Sequence, residues 1–359
     1  MRVTSLKYTV IAIIIMTLTL YASYSLYQST TSPPEAGSVH VITDMLGRAV
    51  NLTLPAQRIV VLTSAEAETL YALGAEEQIV GIGRLTANNP YLPEELRSKT
   101  VVGDPFAGVD FEALIALNPD VVILQIGHGK AGEILAKLEE LKIPTVCTRL
   151  KTVDDLYICI DLLAQISGRD AAPLKNFIKE IFTSIENRVS KLPLDQRPRT
   201  LLLGKIRENM ITVFAGGSAW ASLVEFCGGV NIAFKENFTT SWPKVSLEKI
   251  IEWDPEVIIV VAFRKADLQE RMQEIAQWRT VAAVKNGKVY GLLGGTREFG
   301  SFLEWSPRFV IAALQMANIL HPDLFKDLNW KDAAVELLTK FYKMNINPED
   351  LPEIIVVLT

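Results

Sequence analysis

The chain has 359 residues, 49% hydrophobic and 21% charged, with 36 Lys and Arg against 41 Asp and Glu. That charged fraction excludes a disordered chain, three cysteines exclude a disulfide scaffold, and a net charge of −5 excludes the basic face that a nucleic-acid partner requires. The mean hydropathy of +0.23 is high for a soluble protein, and at about 100–200 residues per domain the length suggests two domains.

Much of the apolar excess lies at the front. Tyr8 to Tyr27 is a stretch of twenty residues without a charge, behind Arg2 and Lys7. It has the length of a membrane-spanning helix, and its basic flank predicts a cytoplasmic N-terminus. The rival reading for residues 1–27 is a cleaved signal peptide, whose apolar region is usually about 7–15 residues, so a retained anchor is favoured. The first cysteine is Cys147, so none follows the apolar run to carry a lipid. Residues 28–40 are rich in Ser, Thr and Pro and form a linker. Either reading places the body of the protein outside the cytoplasm.

The body alternates short β-branched runs with helical patterns, which predicts α/β lobes with parallel sheets. Strands are expected at Arg58–Thr63, Ile79–Ile82, Val121–Gln125 and Pro144–Thr148, with helices at Ala65–Leu73, Phe111–Leu117 and Ala131–Leu141. From Pro173 to Pro193, apolar residues recur at three- and four-residue spacing, a long helix of about 30 Å. The alternation then restarts with strands at Thr200–Leu203, Val257–Ala262 and Lys288–Leu292, and helices at Ala219–Phe226 and Leu247–Trp253. The segment Val109–Ile123 aligns with Val245–Ile259, 136 residues further on. Each copy has a polar N-cap, a first-turn glutamate, an Asx-Pro stop and an apolar strand. That repeat predicts two similar Rossmann-like lobes: residues 41–171 and 194–326, joined by the helix 172–193 and followed by an extension, 327–359. Cys147 and Cys159 fall in apolar elements and are expected as buried thiols.

An ordered set of short motifs then resembles a known family. It comprises Ile42-Thr43-Asp44-Met45-Leu46-Gly47-Arg48, Arg58-Ile59-Val60, Asn118-Pro119-Asp120, Gly228-Gly229-Val230-Asn231, Trp242-Pro243-Lys244-Val245-Ser246-Leu247-Glu248 and His321-Pro322-Asp323. From about residue 41 to 326 the chain resembles the helical-backbone periplasmic binding proteins, which serve ABC importers for ferric siderophores, haem and cobalamin. The resemblance implies a monomer that binds a small-molecule metal chelate between its lobes and hands it to the permease subunits. It also implies that Glu112 and Glu248 form salt bridges with arginines of those subunits. A plain helix-capping role for the two glutamates remains the alternative.

A ligand between such lobes meets the loops that leave the strands. In the N-lobe these loops carry Arg84, Phe106 and His128; in the C-lobe they carry Arg207, Trp220, Trp242, Arg297 and Phe299. Aromatic faces suit a bulky organic ligand and guanidinium groups suit its anionic oxygens, so an iron-siderophore-type chelate is expected, with cobalamin or haem as the alternative. Each arginine is equally a candidate solvated charge, and each aromatic a packing residue of its own lobe. His128 is either an axial ligand or a solvated loop histidine. The three histidines, His40, His128 and His321, do not form the cluster that a bare metal ion requires, so no metal site and no resident cofactor are expected. Glu66, His128 and Glu298 offer acid–base groups for a chelatase-like enzyme, but no Gly-rich phosphate loop, Gly-x-Ser-x-Gly elbow or His-Glu-x-x-His helix is present. A binding protein is therefore preferred to an enzyme.

Overall fold

The computed structural model describes residues 37–127, 129–207, 210–293, 302–351 and the backbone of 355–356. The expected anchor or signal at 1–27 and most of the 28–40 linker lie outside the described residues. Among the described residues, no helix is long and apolar enough to cross a membrane.

The chain enters through an antiparallel hairpin, Ser38–Thr43 with Ala49–Leu54, which sequence reading missed. Five parallel strands follow in the order Thr100–Val101, Ile79–Ile82, Ile59–Val61, Val121–Gln125, Thr145–Thr148. Chain order reverses between Ile59–Val61 and Val121–Gln125, so the crevice of an open α/β sheet opens at their C-terminal ends. The second sheet is centred on Arg199–Arg207, which runs parallel to Val230–Asn231 and to Val257–Ala262, with Val289–Leu293 parallel beyond. Its parallel centre, as expected, is extended by antiparallel edges that the sequence did not show: Met210–Val213, Lys244–Ser246 and Ile355–Val356 pair antiparallel there. Met210–Val213 begins three residues after Arg207, and a connection that short permits only a hairpin, because a parallel neighbour needs a long crossover.

The helix Ala172–Val189 joins the sheets, opening on Pro173 at its first turn and burying Leu174, Ile178, Ile181, Phe182, Ile185 and Val189. The two sheets do not have separate cores. Alternate residues of each strand point opposite ways, and one set from both lobes enters a single shared core. Ile59, Val61, Val121 and Ile123 meet there with Val257, Ile259 and Val261, around the long helix and the almost wholly buried helix Phe309–Leu320. The other set lines a separate outer cluster in each lobe: Val60, Val122 and Leu124 in one, Ile258 and Val260 in the other. All three cysteines are free and buried, as expected for Cys147 and Cys159.

The last segment binds both halves. Its helix Trp330–Tyr342 lies on the N-lobe helix Ser64–Ala72, where the Tyr71 hydroxyl donates to the Tyr342 carbonyl at 2.9 Å. Beneath them Arg308 grips Glu68 through two hydrogen bonds of 2.6 and 2.8 Å, with both side chains 0% exposed. The Tyr342 hydroxyl and the Asn89 amide also donate to Glu68, and the Arg308 guanidinium stacks 3.8 Å from the Tyr91 ring centre. Ile355–Val356 then joins the C-lobe sheet. The segment therefore reaches from one lobe to the other.

Candidate functional site

At the N-lobe rim, Gly83 follows the strand Ile79–Ile82. A Cβ there would lie 2.1 Å from the Leu62 carbonyl oxygen, so only glycine lets the chain pass and carry Arg84 outward. The Arg84 Nε donates to Asp104 at 2.9 Å. Asp104 is buried and also accepts the backbone N–H groups of Phe106 and Ala107, which turns the hairpin Gly103–Asp104/Gly108–Val109 and leaves Phe106 49% exposed. Deeper in the same rim, Glu66 is buried and accepts hydrogen bonds from the hydroxyls of Thr63 and Thr148; burial pushes its carboxyl pKa up.

The C-lobe rim is basic. Lys205 and Arg207 end the central strand, and Arg264 follows the next one. Arg264 holds Asp267 through Nε at 2.9 Å and Nη2 at 2.5 Å. Arg271, seven residues along the helix Lys265–Ile275, donates from Nη1 to the Val261 carbonyl at 2.7 Å. Burial, with the like charges of Arg207 and Arg264, lowers the Arg271 pKa against the pull of Asp267 and Glu270. Asp267 is held below the usual carboxylate range by its Arg264 hydrogen bonds first, with Arg271 and Lys205 adding to the effect. Asp267 thus lies in the field of Arg264, Arg271 and Lys205, and Arg207 adds a fourth positive charge beside Arg271. Beside them Trp220 packs on Phe214 and Phe263 at ring-centre distances of 5.3 and 5.9 Å. Phe263 stays exposed, and Trp242 is 61% exposed.

Of the sequence-predicted residues, Arg84 and Phe106 share the N-lobe rim, while Arg207, Trp220 and Trp242 lie in the C-lobe. Trp220 is half-buried against its own lobe, and Arg84 is committed to Asp104. His128, Arg297 and Phe299 lie outside the described residues. Sequence reading missed Arg271; its seven-residue spacing from Arg264 on a helical pattern was the available signal. Among the described residues, no group of three or more His, Cys, Asp or Glu side chains is placed to hold a metal ion. A separate groove of 480 Å³ crosses the lobe junction over the long helix, with Tyr157, Phe182, Phe226 and Trp305 in its lining. Its charges balance, Lys151 and Lys179 against Asp154 and Glu186, and it contains none of the predicted ligand residues.

The repeated unit is duplicated in its side-chain contacts. Helices Phe111–Ala116 and Leu247–Trp253 each begin at the cleft-side rim, capped by Asp110 and Ser246, whose side chains accept from Ala113 N and Lys249 N. Glu112 and Glu248 are exposed in the first turns, and a hydrogen bond from the Ser246 side chain lowers the Glu248 pKa. Both helices stop at a residue with φ 43°, Asn118 and Asp254, ahead of Pro119 and Pro255. Arg58 donates to the carbonyls of Leu117 and Asn118; Arg199 donates to those of Trp253 and Asp254. Asp120 and Glu256 then accept from the backbone N–H groups of Arg58 and Arg199.

A family model for periplasmic binding proteins matches residues 59–293, more than half of the chain. The molybdate-binding protein MolA of Haemophilus influenzae is 24% identical over 338 residues, covering 86% of this chain and 93% of its own. The vitamin B12-binding protein of Vibrio campbellii is 28% identical over 239 residues, covering 66% of this chain and 82% of its own. The crystal structure of a periplasmic solute binding protein from Veillonella parvula superposes with a TM-score of 0.71 at 27% identity, covering 86% of this chain and 94% of that one. Sheet order, connecting helix and these matches agree: the chain belongs to the periplasmic binding protein family and is a substrate-binding protein of an ABC importer.

Proposed function

We propose that this binding protein captures an anionic metal chelate of the ferric-siderophore type between its lobes and delivers it to the permease. The carrying observation is the basic cluster Lys205, Arg207, Arg264 and Arg271 at the C-lobe rim, together with the exposed aromatics Phe263, Trp242 and Phe106. Guanidinium groups pair with carboxylate or catecholate oxygens, and exposed rings pack an organic ligand body. A compact oxyanion such as the molybdate of the Haemophilus relative would use the cations and leave the rings idle. Cobalamin is the second reading, favoured by the B12-binding relative. Glu112 and Glu248 are the permease-docking carboxylates in this proposal, and residues 1–27 are a retained membrane anchor, which intact mass of the native protein tests. Tryptophan fluorescence titrated with a ferric tris-catecholate, ferric citrate, cobalamin, haem and molybdate tests the ligand. Saturable quenching by a ferric chelate supports the proposal, and quenching by cobalamin or molybdate alone overturns it.

A further inference from the structure

The two duplicated helices share one feature that neither capping nor core packing explains. One turn beyond Glu112 stands Ile115, 48% exposed; one turn beyond Glu248 stands Ile251, 42% exposed. Residues three apart on a helix lie on one face. The order of buried and exposed positions is the same along both helices: Leu114 and Ile250 turn inward, while the glutamate and isoleucine of each turn outward. Nothing in the fold requires an isoleucine at either outward position, and a polar residue there would lose no buried contact. The surroundings do differ. Ala113 and Ala116 flank the N-lobe pair, whereas Lys249 and Glu252 flank the C-lobe pair and satisfy each other at 3.0 Å. The carboxylate and the isoleucine are the parts that stay the same.

We infer that Ile115 and Ile251 are the apolar halves of two equivalent docking patches, each paired with its glutamate, that grip a partner presenting the same basic-and-apolar surface twice. This rests on the reading of Glu112 and Glu248 as permease contacts. The occupant is the pair of membrane subunits of the importer. Two like patches on one chain match a partner with two-fold symmetry. Each carboxylate calls for a cation beside it, and each isoleucine for an apolar surface that excludes water from that ion pair. The helices begin at the cleft-side rim of their lobes, so a partner covering both also covers the mouth of the cleft.

The test measures binding of the full-length protein to the permease reconstituted in lipid nanodiscs. Ile115→Ser and Ile251→Ser are each expected to weaken the complex about tenfold, and the double variant about a hundredfold, from the apolar area lost to the interface. Ile115→Leu should restore most of the loss. Ile158→Ser, at an exposed isoleucine on the helix Val153–Ser167, should leave binding unchanged, and all variants should keep the wild-type unfolding midpoint. A double serine variant that binds as tightly as wild type, while Glu112→Arg and Glu248→Arg abolish binding, overturns the apolar patches and leaves the carboxylate contacts standing. Equal weakening by Ile158→Ser overturns the inference too. Unchanged binding by the charge reversals as well removes the docking reading itself.

Discussion

The repeated helix–strand units of the two lobes match, and the loops that face the ligand do not. In the repeated units, Arg58 and Arg199 clamp equivalent helix ends, and Glu112 and Glu248 occupy equivalent first turns. At the rims, the N-lobe offers a buried Glu66 and an arginine already paired with Asp104, while the C-lobe gathers Lys205, Arg207, Arg264 and Arg271. A duplicated surface suits a partner that meets both lobes alike. A polarised cleft suits a ligand with a charged side and an apolar side.

Charge reversal on the matched faces should have the largest effect. Glu112→Arg with Glu248→Arg is expected to cut uptake at least about a hundredfold, since each reversal sets like charges against each other in the complex. Affinity for ligand should not change; a loss of affinity would place these residues in the cleft. Next comes the shared core, where a buried ion pair joins the lobes. Arg308→Met leaves Glu68 buried without its cation and should cost about 3–5 kcal/mol in urea unfolding. A cost under about 1 kcal/mol would show the pair to be solvated. On the unmatched rims, Arg264→Ala should weaken binding of an anionic chelate about tenfold or more, because Arg207, Arg271 and Lys205 add positive charge around its ion pair with Asp267, and Arg84→Ala much less, because Asp104 alone balances that guanidinium. Equal losses would erase the polarity of the cleft.

The smallest effect is in pH dependence. Burial first, then the Glu68 charge, pushes the Glu304 carboxyl pKa up to about 7. A carboxyl raised in the fold favours folding while protonated, so its contribution is complete below the ordinary carboxylate pKa and falls away as pH rises through 7. Glu304→Gln should therefore unfold at a higher temperature than wild type at pH 8 and at the same temperature near pH 4. Identical pH profiles would show that Glu304 ionises freely.

The legibility of the sequence followed the same division. Strands such as Val121–Gln125 and Val257–Ala262 were found to the residue because apolar runs end at turn formers, and the repeat was found because Asn118-Pro119 and Asp254-Pro255 punctuate it. The helix Phe309–Leu320 was missed because it is buried on nearly every side and shows no amphipathic period. The shared core and the grip of Arg308 on Glu68, 240 residues apart, depend on which helices meet, and local pattern carries no record of that. The rim residues were half legible: loops after strands named Arg84, Arg207 and Trp242, but Arg271 reaches the cluster from the side of a helix.

The most direct test is a calorimetric titration of the full-length protein with a ferric tris-catecholate and with cobalamin, in low and high salt. The account predicts one tight site for the anionic chelate, weakened by salt and by Arg264→Ala, and at most weak binding of cobalamin. Tight, salt-insensitive binding of cobalamin with no response to the chelate would contradict it.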